Sequence, residues 1–472
     1  MTHLSRTNSN NGAAVGPQGE GRESPSTFPA YPVYKDSGVE WLGVVPEHWG
    51  VSPLKWLVEL VTDKATTSNF QVGLENIEGW TGRFIETDTE FTGDGIAFRQ
   101  EDILFGKLRP YLAKVWLAGK SGQAVGDFFV LRPCAVNSEF LHKYILTPTV
   151  IEDLNASTIG AKMPRVGWED MAALAVTLPP HKEQTQIARF LDHETARIDA
   201  LIEEQQRLIE LLKEKRQAVI SHAVTIGLDP TVPMKDSGVE WLGEVPAHWT
   251  INRLKQLVID TAGIQMGPFG GMLVDLDDSD TGYKVYGQEN TISGNFYSGN
   301  RWIPEHRYFA LSNYHLEIGD IVLTRKGSLG NCRRVSLLPQ AGIIDSDTIR
   351  VRVKNNMMNP DYLELLLHEA GYIATQLGLV KRGAILSGLN SEIIANLVIV
   401  VPPRVKQEEL LQEIKAASSK YDQGISDCEY AIELFRERRS ALISAAVTGK
   451  IDVRGWQPPA SATSPELAKE AV

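Results

Sequence analysis

Five pairs of basic residues are the side chains whose type and setting point most directly to chemistry. Lys107 with Arg109 and Lys162 with Arg165 fall in the first half of the chain; Arg325 with Lys326, Arg333 with Arg334, and Lys381 with Arg382 fall in the second. Glycines lie close by in sequence, and from a turn a long cationic side chain can reach a phosphate, while an arginine can meet a guanine edge bidentately. Gln265, just ahead of the turn string GPFGG at Gly267–Gly271, is grouped with them. The formal charge of -12 argues against coating nucleic acid by bulk electrostatics, so any such contact is local or shared with a partner.

Covalent chemistry finds less footing. Asn359-Pro360-Asp361-Tyr362 is one residue away from the Asn/Asp-Pro-Pro-Tyr/Phe signature of amino-methyltransferases, but it lacks the second proline. No Gly-rich strand-to-helix turn for S-adenosylmethionine accompanies it. The string reads instead as a helix start, with Asn359 as cap and Pro360 in the first turn. Gly119-Lys120-Ser121 resembles the end of a phosphate-binding loop, but the glycine required five residues earlier is Lys114, so a hairpin turn is expected. GPFGG reads as a turn that brings backbone close to something. The cysteines Cys134, Cys332 and Cys428 have neither metal-site spacing nor a disulfide framework, and the histidines form no nucleophilic grouping.

The elements that must carry these loops come in duplicate. KDSGVEWLGVVPEHW at Lys35–Trp49 returns as KDSGVEWLGEVPAHW at Lys235–Trp249, with thirteen of fifteen positions identical. After each string comes a Gly- and β-rich body, then Pro179-Pro180 or Pro402-Pro403, then a long helical pattern. In the first helix Ile198, Ile202, Gln205, Ile209, Leu212, Arg216 and Val219 form a heptad seam. Tyr421, Ile425, Cys428, Ile432, Phe435, Arg439 and Leu442 repeat it 223 residues later. The expected fold is mixed α+β: two bodies related by a pseudo-two-fold axis, separated by an antiparallel pair of long helices whose polar seam positions fix register or face a partner.

The boundaries expected are a disordered leader over 1–33, a first body over 34–180 and a first helix over 181–228. A second body over 229–402, a second helix over 403–450 and a disordered tail over 451–472 follow. With 43% hydrophobic and 22% charged residues and no apolar run near the roughly eighteen residues of a membrane span, a cytoplasmic protein with no membrane association is expected.

With the repeat, the paired helices and the basic loops together, the chain resembles the specificity subunits of type I restriction-modification enzymes. The resemblance spans nearly everything from Tyr34 to Lys450. It is carried by KDSGVEWLG with PEHW or PAHW, by DILFGKLRPYLAKV and FFVLRP, by GPFGG with GDIVLTRKGSLGN, and by LPPHKEQTQIARFLD and VPPRVKQEELLQEI. It implies that each body is a target-recognition domain reading one half of a split sequence in double-stranded DNA, with the helices setting the gap. It implies two modification subunits that carry S-adenosylmethionine and methylate adenine at N6, and restriction subunits that use ATP and Mg to translocate and cut. The chain itself would be non-catalytic and hold no cofactor. On this reading the basic loops and Gln265 read DNA, and Trp41, Trp49, Trp241 and Trp249 of the repeated string serve assembly. The rival expectation is a two-headed protein-protein scaffold.

Overall fold

The computed structural model describes residues 28–65, 70–89, 95–158, 163–259, 262–273, 276, 281–326, 331–383 and 388–459. The chain forms two compact units. The first is Met1–Glu204 with Ala431–Val472 and the second is Gln205–Tyr430, so each holds one body together with part of both long helices. The fold is mixed α+β, and each unit is built in the same order.

Each unit opens with the repeated string, which folds as a hairpin. Tyr34–Asp36 pairs with Val44–Pro46, and Met234–Asp236 pairs with Glu244–Pro246. The Asp-x-Gly of KDSG explains the turn: an Asp36 oxygen accepts the Gly38 amide at 2.7 Å, and Asp236 accepts that of Gly238 at 2.8 Å. Both glycines have positive φ, 74° and 71°, a conformation in which a Cβ would be strained.

Next comes a two-stranded pair that closes each body at the foot of its helix, Gly50–Pro53 with Ala175–Leu178 and Thr250–Arg253 with Val398–Val401. The central sheet of each body has four antiparallel strands. In the first unit the spatial order is Val58–Val61, Phe128–Pro133, Ile103–Gly106, Val115–Leu117; in the second it is Ile264–Met266, Thr348–Val351, Ile321–Thr324, Cys332–Arg334. A smaller three-stranded sheet with one parallel pairing lies beside each. Gly119-Lys120-Ser121 joins the larger sheet to the smaller one rather than turning a hairpin, and the Lys120 ammonium lies 3.7 Å from the Phe70 ring centre.

The entry to the central sheet is held by the same buried ion pair in both units. Asp102 accepts from Nε and one Nη of the Arg132 guanidinium at 3.0 and 2.8 Å and also accepts the Arg99 amide at 2.8 Å. Asp320, 1% exposed, takes Arg352 at 2.6 and 2.7 Å and the Glu317 amide at 2.8 Å. Bidentate geometry with the spare lone pair satisfied is the arrangement in which burial of charge is tolerated.

A second repeated device sits at the helix starts. Gln184 accepts the amide of Asn137 at 2.7 Å and donates to the Pro179 carbonyl; Gln407 accepts the amide of Asn359 at 2.7 Å and donates to the Pro402 carbonyl. The asparagines so fixed cap the helices Ser138–Ile145 and Pro360–Glu369. Asn359-Pro360-Asp361-Tyr362 is therefore a helix start, as expected, with the Tyr362 ring fully buried.

The long helices are His181–Thr225 and Arg404–Val447. Every position of the predicted seam is buried or half-buried, while most of the positions between seam residues are exposed. Within each unit the two run antiparallel. In the second, a Cβ on Gly424 would lie 3.3 Å from Leu212. The seam arginines occupy equivalent places and behave alike. Arg216 bonds Asp422 at 2.8 Å in the second unit, and Arg439 bonds Asp199 at 3.0 Å in the first. Arg216 also grips Glu369 at the end of the capped helix, and Asp199 also takes Arg83 from the first body. A hydrogen bond from His368 first, then Arg216, holds the Glu369 carboxyl down at about 2. The seam arginines thus fix register and tie the helix pair of each unit to that unit's body.

Two boundaries differ from expectation. Tyr31, assigned to the leader, is 3% exposed, and Phe28 packs edge-on against Phe190. Ile451 and Val453, assigned to the tail, are buried, and Trp456 packs on Phe190 at 5.3 Å. The reason is that aromatic side chains standing alone in polar surroundings find apolar partners far away in sequence, which a local count of large residues does not register. Residues 1–27 and 460–472 lie outside the described residues.

Replacing Asp320 with alanine leaves Arg352 with only Glu317 and the His315 carbonyl and orphans the Glu317 amide, so we expect the second unit to lose about 3 kcal/mol of stability. Urea unfolding followed by limited proteolysis of that unit checks this, with Glu317→Ala as a near-neutral control.

Candidate nucleic-acid interface

At the far end of the central sheet, each unit frames one basic residue in the same way. Lys107 follows the strand Ile103–Gly106, and Arg325 follows Ile321–Thr324. The Lys107 amide donates to the Asp127 carbonyl at 2.8 Å and its carbonyl accepts from Val166. The Arg325 amide donates to the Asp347 carbonyl at 2.9 Å and its carbonyl accepts from Leu389. Each cation lies over an aromatic ring, Lys107 5.2 Å from Phe129 and Arg325 4.9 Å from Phe269. Arg325 is braced further, by donating to the carbonyls of Leu389 at 3.1 Å and Ser346 at 3.5 Å.

The side chains of the framing aspartates recruit a second cation. Asp127 pairs with Arg165 at 2.7 Å and Asp347 with Lys326 at 2.8 Å. These cations are largely exposed, 58% and 57%, so the pairs are screened by solvent and can be exchanged for an external anion at little cost. Gly267 lets its loop close on this frame. Its amide donates to Thr348, and a Cβ there would sit 1.8 Å from the Asp345 carbonyl, which is the close backbone approach expected of GPFGG.

The first unit adds backbone strain. Arg109 has φ 51° and Ala113 φ 47°, flanking the turn Pro110–Leu112; neither is glycine. The Arg109 amide donates to Pro164, and Leu108 bridges to Arg165, so the strained turn and the 163–167 segment lie side by side. Together they expose Arg109, Tyr111, Leu112, Met163 and Arg165. In the second unit Phe269, Met272 and Lys326 are exposed around the frame. A face mixing cations with flat or flexible apolar groups can pair with phosphate, stack on bases and contact thymine methyls.

The structure therefore sorts the candidate residues. Arg109, Arg165 and Lys326 are exposed at the loop faces, while Lys107 and Arg325 are braces beneath them. Arg333 and Arg334 belong to neither group: they lean on Glu364 at 3.9 Å and Asp361 at 3.1 Å, carboxylates of the helix Pro360–Glu369. Gln265 is half-buried in its strand, with its amide donating to Met266. Lys162 and the side chains of Lys381 and Arg382 lie outside the described residues.

Two of the four tryptophans assigned to assembly cannot present a surface. Trp49 is fully buried, with its ring N–H donating to Glu183, and Trp249 is 4% exposed, because both rings fill the space between the hairpin and the helix. Trp41 is half-buried against the first core, and Trp241 is 43% exposed and stacked 6.3 Å from Tyr372.

Sequence reasoning missed Asp127 and Asp347 and the strained Arg109. The aspartates were findable from the repeat, since each stands one residue before an equivalent strand; the strain leaves no mark in the residue types. Among the described residues no group of His, Cys, Asp and Glu could hold a metal ion, the three cysteines are free, and no helix is long and apolar enough to cross a membrane.

Several known proteins are similar to this chain. Residues 46–212 match the family model described as type I restriction modification DNA specificity domain. The chain is 22% identical over 428 residues to the type I restriction enzyme MjaVIII specificity subunit of Methanocaldococcus jannaschii, covering 87% of this chain and 94% of that one. It is 22% identical over 458 residues to the type I restriction enzyme EcoKI specificity subunit of Escherichia coli K12, covering 90% and 93%. A chain from a solved type I R-M system, studied for its complex assembly and conformational transition, shares the fold with a TM-score of 0.65. It is 15% identical and aligns over 85% of this chain and 98% of that one.

Arg109→Gly should raise the stability of the first unit by about 0.5–1 kcal/mol, because glycine adopts the left-handed conformation without strain. The same change removes a cation from the exposed face, so thermal melting and DNA binding should move in opposite directions.

Proposed function

We propose, from the premise that this chain belongs to the family of type I restriction enzyme specificity subunits, that it is the DNA-reading subunit of such a complex. In this reading each body contacts one half of a bipartite target in double-stranded DNA. The bases read direct adenine N6 methylation, or ATP-dependent cleavage, by modification and restriction subunits. Those partners would supply S-adenosylmethionine, ATP and Mg, and this chain supplies no catalytic group.

The observation that carries the reading is the loop frame built twice around an equivalent aspartate with different cations: Lys107, Asp127 and Arg165 in one unit, Arg325, Asp347 and Lys326 in the other. Repeating the frame keeps the approach to the duplex constant, while changing the side chains lets the two halves differ. The overall acidity fits if the partners neutralise most of the phosphate charge. In this reading Arg109, Arg165 and Lys326 touch DNA, Lys107 and Arg325 position them, and the long helices set the gap between half-sites.

The complex reconstituted with its modification subunits should shift duplexes carrying one bipartite sequence in preference to scrambled ones. No preference on mixed duplexes would favour a protein-protein scaffold, the reading to which the net charge of -12 lends itself. Arg325→Ala combined with Lys326→Ala should weaken binding by about tenfold through the second half-site alone. Equal loss at both halves would mean that folding or assembly, not reading, was damaged. A seven-residue insertion in both helices, two turns that preserve the heptad phase and add about 10 Å, should lengthen the gap and leave both half-site sequences intact in methylation mapping.

A further inference from the structure

The repeat exposes a vacancy when the two units are compared position by position. In the first unit, the helix face carrying Glu183, Gln186 and Phe190 is covered by two separate segments of chain, one entering the unit at Phe28–Tyr34 and one leaving it at Gly449–Trp456. Tyr31 donates to Glu183 at 2.5 Å, Trp456 and Phe28 pack on Phe190, and Gln186 donates to the carbonyls of Val453 and Trp456 at 3.1 and 2.6 Å. The Arg454 guanidinium lies 5.0 Å from the Tyr31 ring centre.

In the second unit one segment, Ile226–Met234, does the work of both, because it leaves one long helix and enters the next hairpin directly. A groove of about 220 Å³ remains between it, the Pro246–Trp249 turn and the helix Arg404–Val447. Ile226 and Leu228 stand 39% and 43% exposed at its edge, whereas Ile451, next to Asp452 as Leu228 is next to Asp229, is buried in the first unit. The helix face has also changed in kind. Positions 183, 186 and 190 become Lys406, Glu409 and Glu413, all lining the groove together with Asp229. Lys406 is held by Glu409 at 2.5 Å, which leaves Asp229 and Glu413 as an excess of negative charge over an apolar floor of Trp249 and Leu410.

We propose that this groove docks a peptide segment of a partner protein that inserts one bulky apolar side chain, an aromatic in particular, flanked by lysine or arginine. The first unit shows the pattern: Tyr31 fills the place beside His48, Trp49 and Glu183, Trp456 packs on Phe190 next to it, and Arg454 lies against the Tyr31 ring. The carboxylates substituted at 409 and 413 shift the preference toward a basic flank. This inference stands on the repeat and does not depend on the DNA-reading proposal.

The test uses the full-length chain and a fluorescein-labelled peptide, GKIDVRGWQP, copied from residues 449–458. Saturable binding is expected, weakened about tenfold by Glu409→Lys with Glu413→Lys in the chain and by replacing the peptide's tryptophan with alanine. No saturable binding, or equal binding by the charge-reversed chain, would overturn the proposal. Should the variant lose helicity by circular dichroism, the wild-type chain decides with a peptide carrying benzoylphenylalanine in place of tryptophan. Crosslinks to 226–232 or 404–413 support the groove; crosslinks confined to other sites, including the first unit's own covered face, sink it. A dimer of this chain that dissociates on Glu413→Lys would also overturn it, since the groove would then be closed by a second copy.

Discussion

The ion pair between a seam arginine and an aspartate of the facing helix, made once in each unit, is the constraint on which the rest of the structure rests. Arg216 with Asp422 and Arg439 with Asp199 occupy equivalent heptad positions, where a zipper built only for stability would carry apolar residues. An apolar seam can slide by a turn at modest cost. A paired charge cannot, because a slipped register leaves a half-buried cation without its anion. The same charges reach outward to Glu369 and to Arg83, so the register of the helices and the seating of each body are set at one point.

From that point order is passed outward through devices that are themselves repeated. Gln184 and Gln407 lock the helix starts to the capped helices of the bodies; the Asp102–Arg132 and Asp320–Arg352 pairs lock the entry to the central sheet. At the far end of the sheet the frame around Lys107 and Arg325 is what these supports hold still. Groups meant to meet an external partner work best on a backbone that does not have to be ordered at the moment of binding. The strained backbone of Arg109 fits that logic, since strain persists only where surrounding structure imposes it.

The repeat is also where the two units part. The loop faces differ in their side chains while sharing their hydrogen bonds, and the helix face at 183–190 differs from that at 406–413 both in charge and in what covers it. The same order of strands laid down twice accounts for the shared frame. The unequal covering of the two helix faces follows from a simpler fact: within the second unit one segment runs from the first long helix straight into the second hairpin, where two separate segments serve the first.

The sequence by itself determined the repeat, the heptad seam and its partner within the same chain, the helix start at Asn359 and the mixed α+β character. These are written in identity and periodicity, which are local and survive being read one residue after another. Only the tertiary structure decided which cations face outward, that Arg333 and Arg334 spend their charge on Glu364 and Asp361, that Trp49 and Trp249 lie inside, and that Tyr31 and Trp456 belong to a core. Burial and charge neutralisation are properties of pairs. The partner of each of these residues stands tens to hundreds of positions away, brought near only when the sheets and helices have packed.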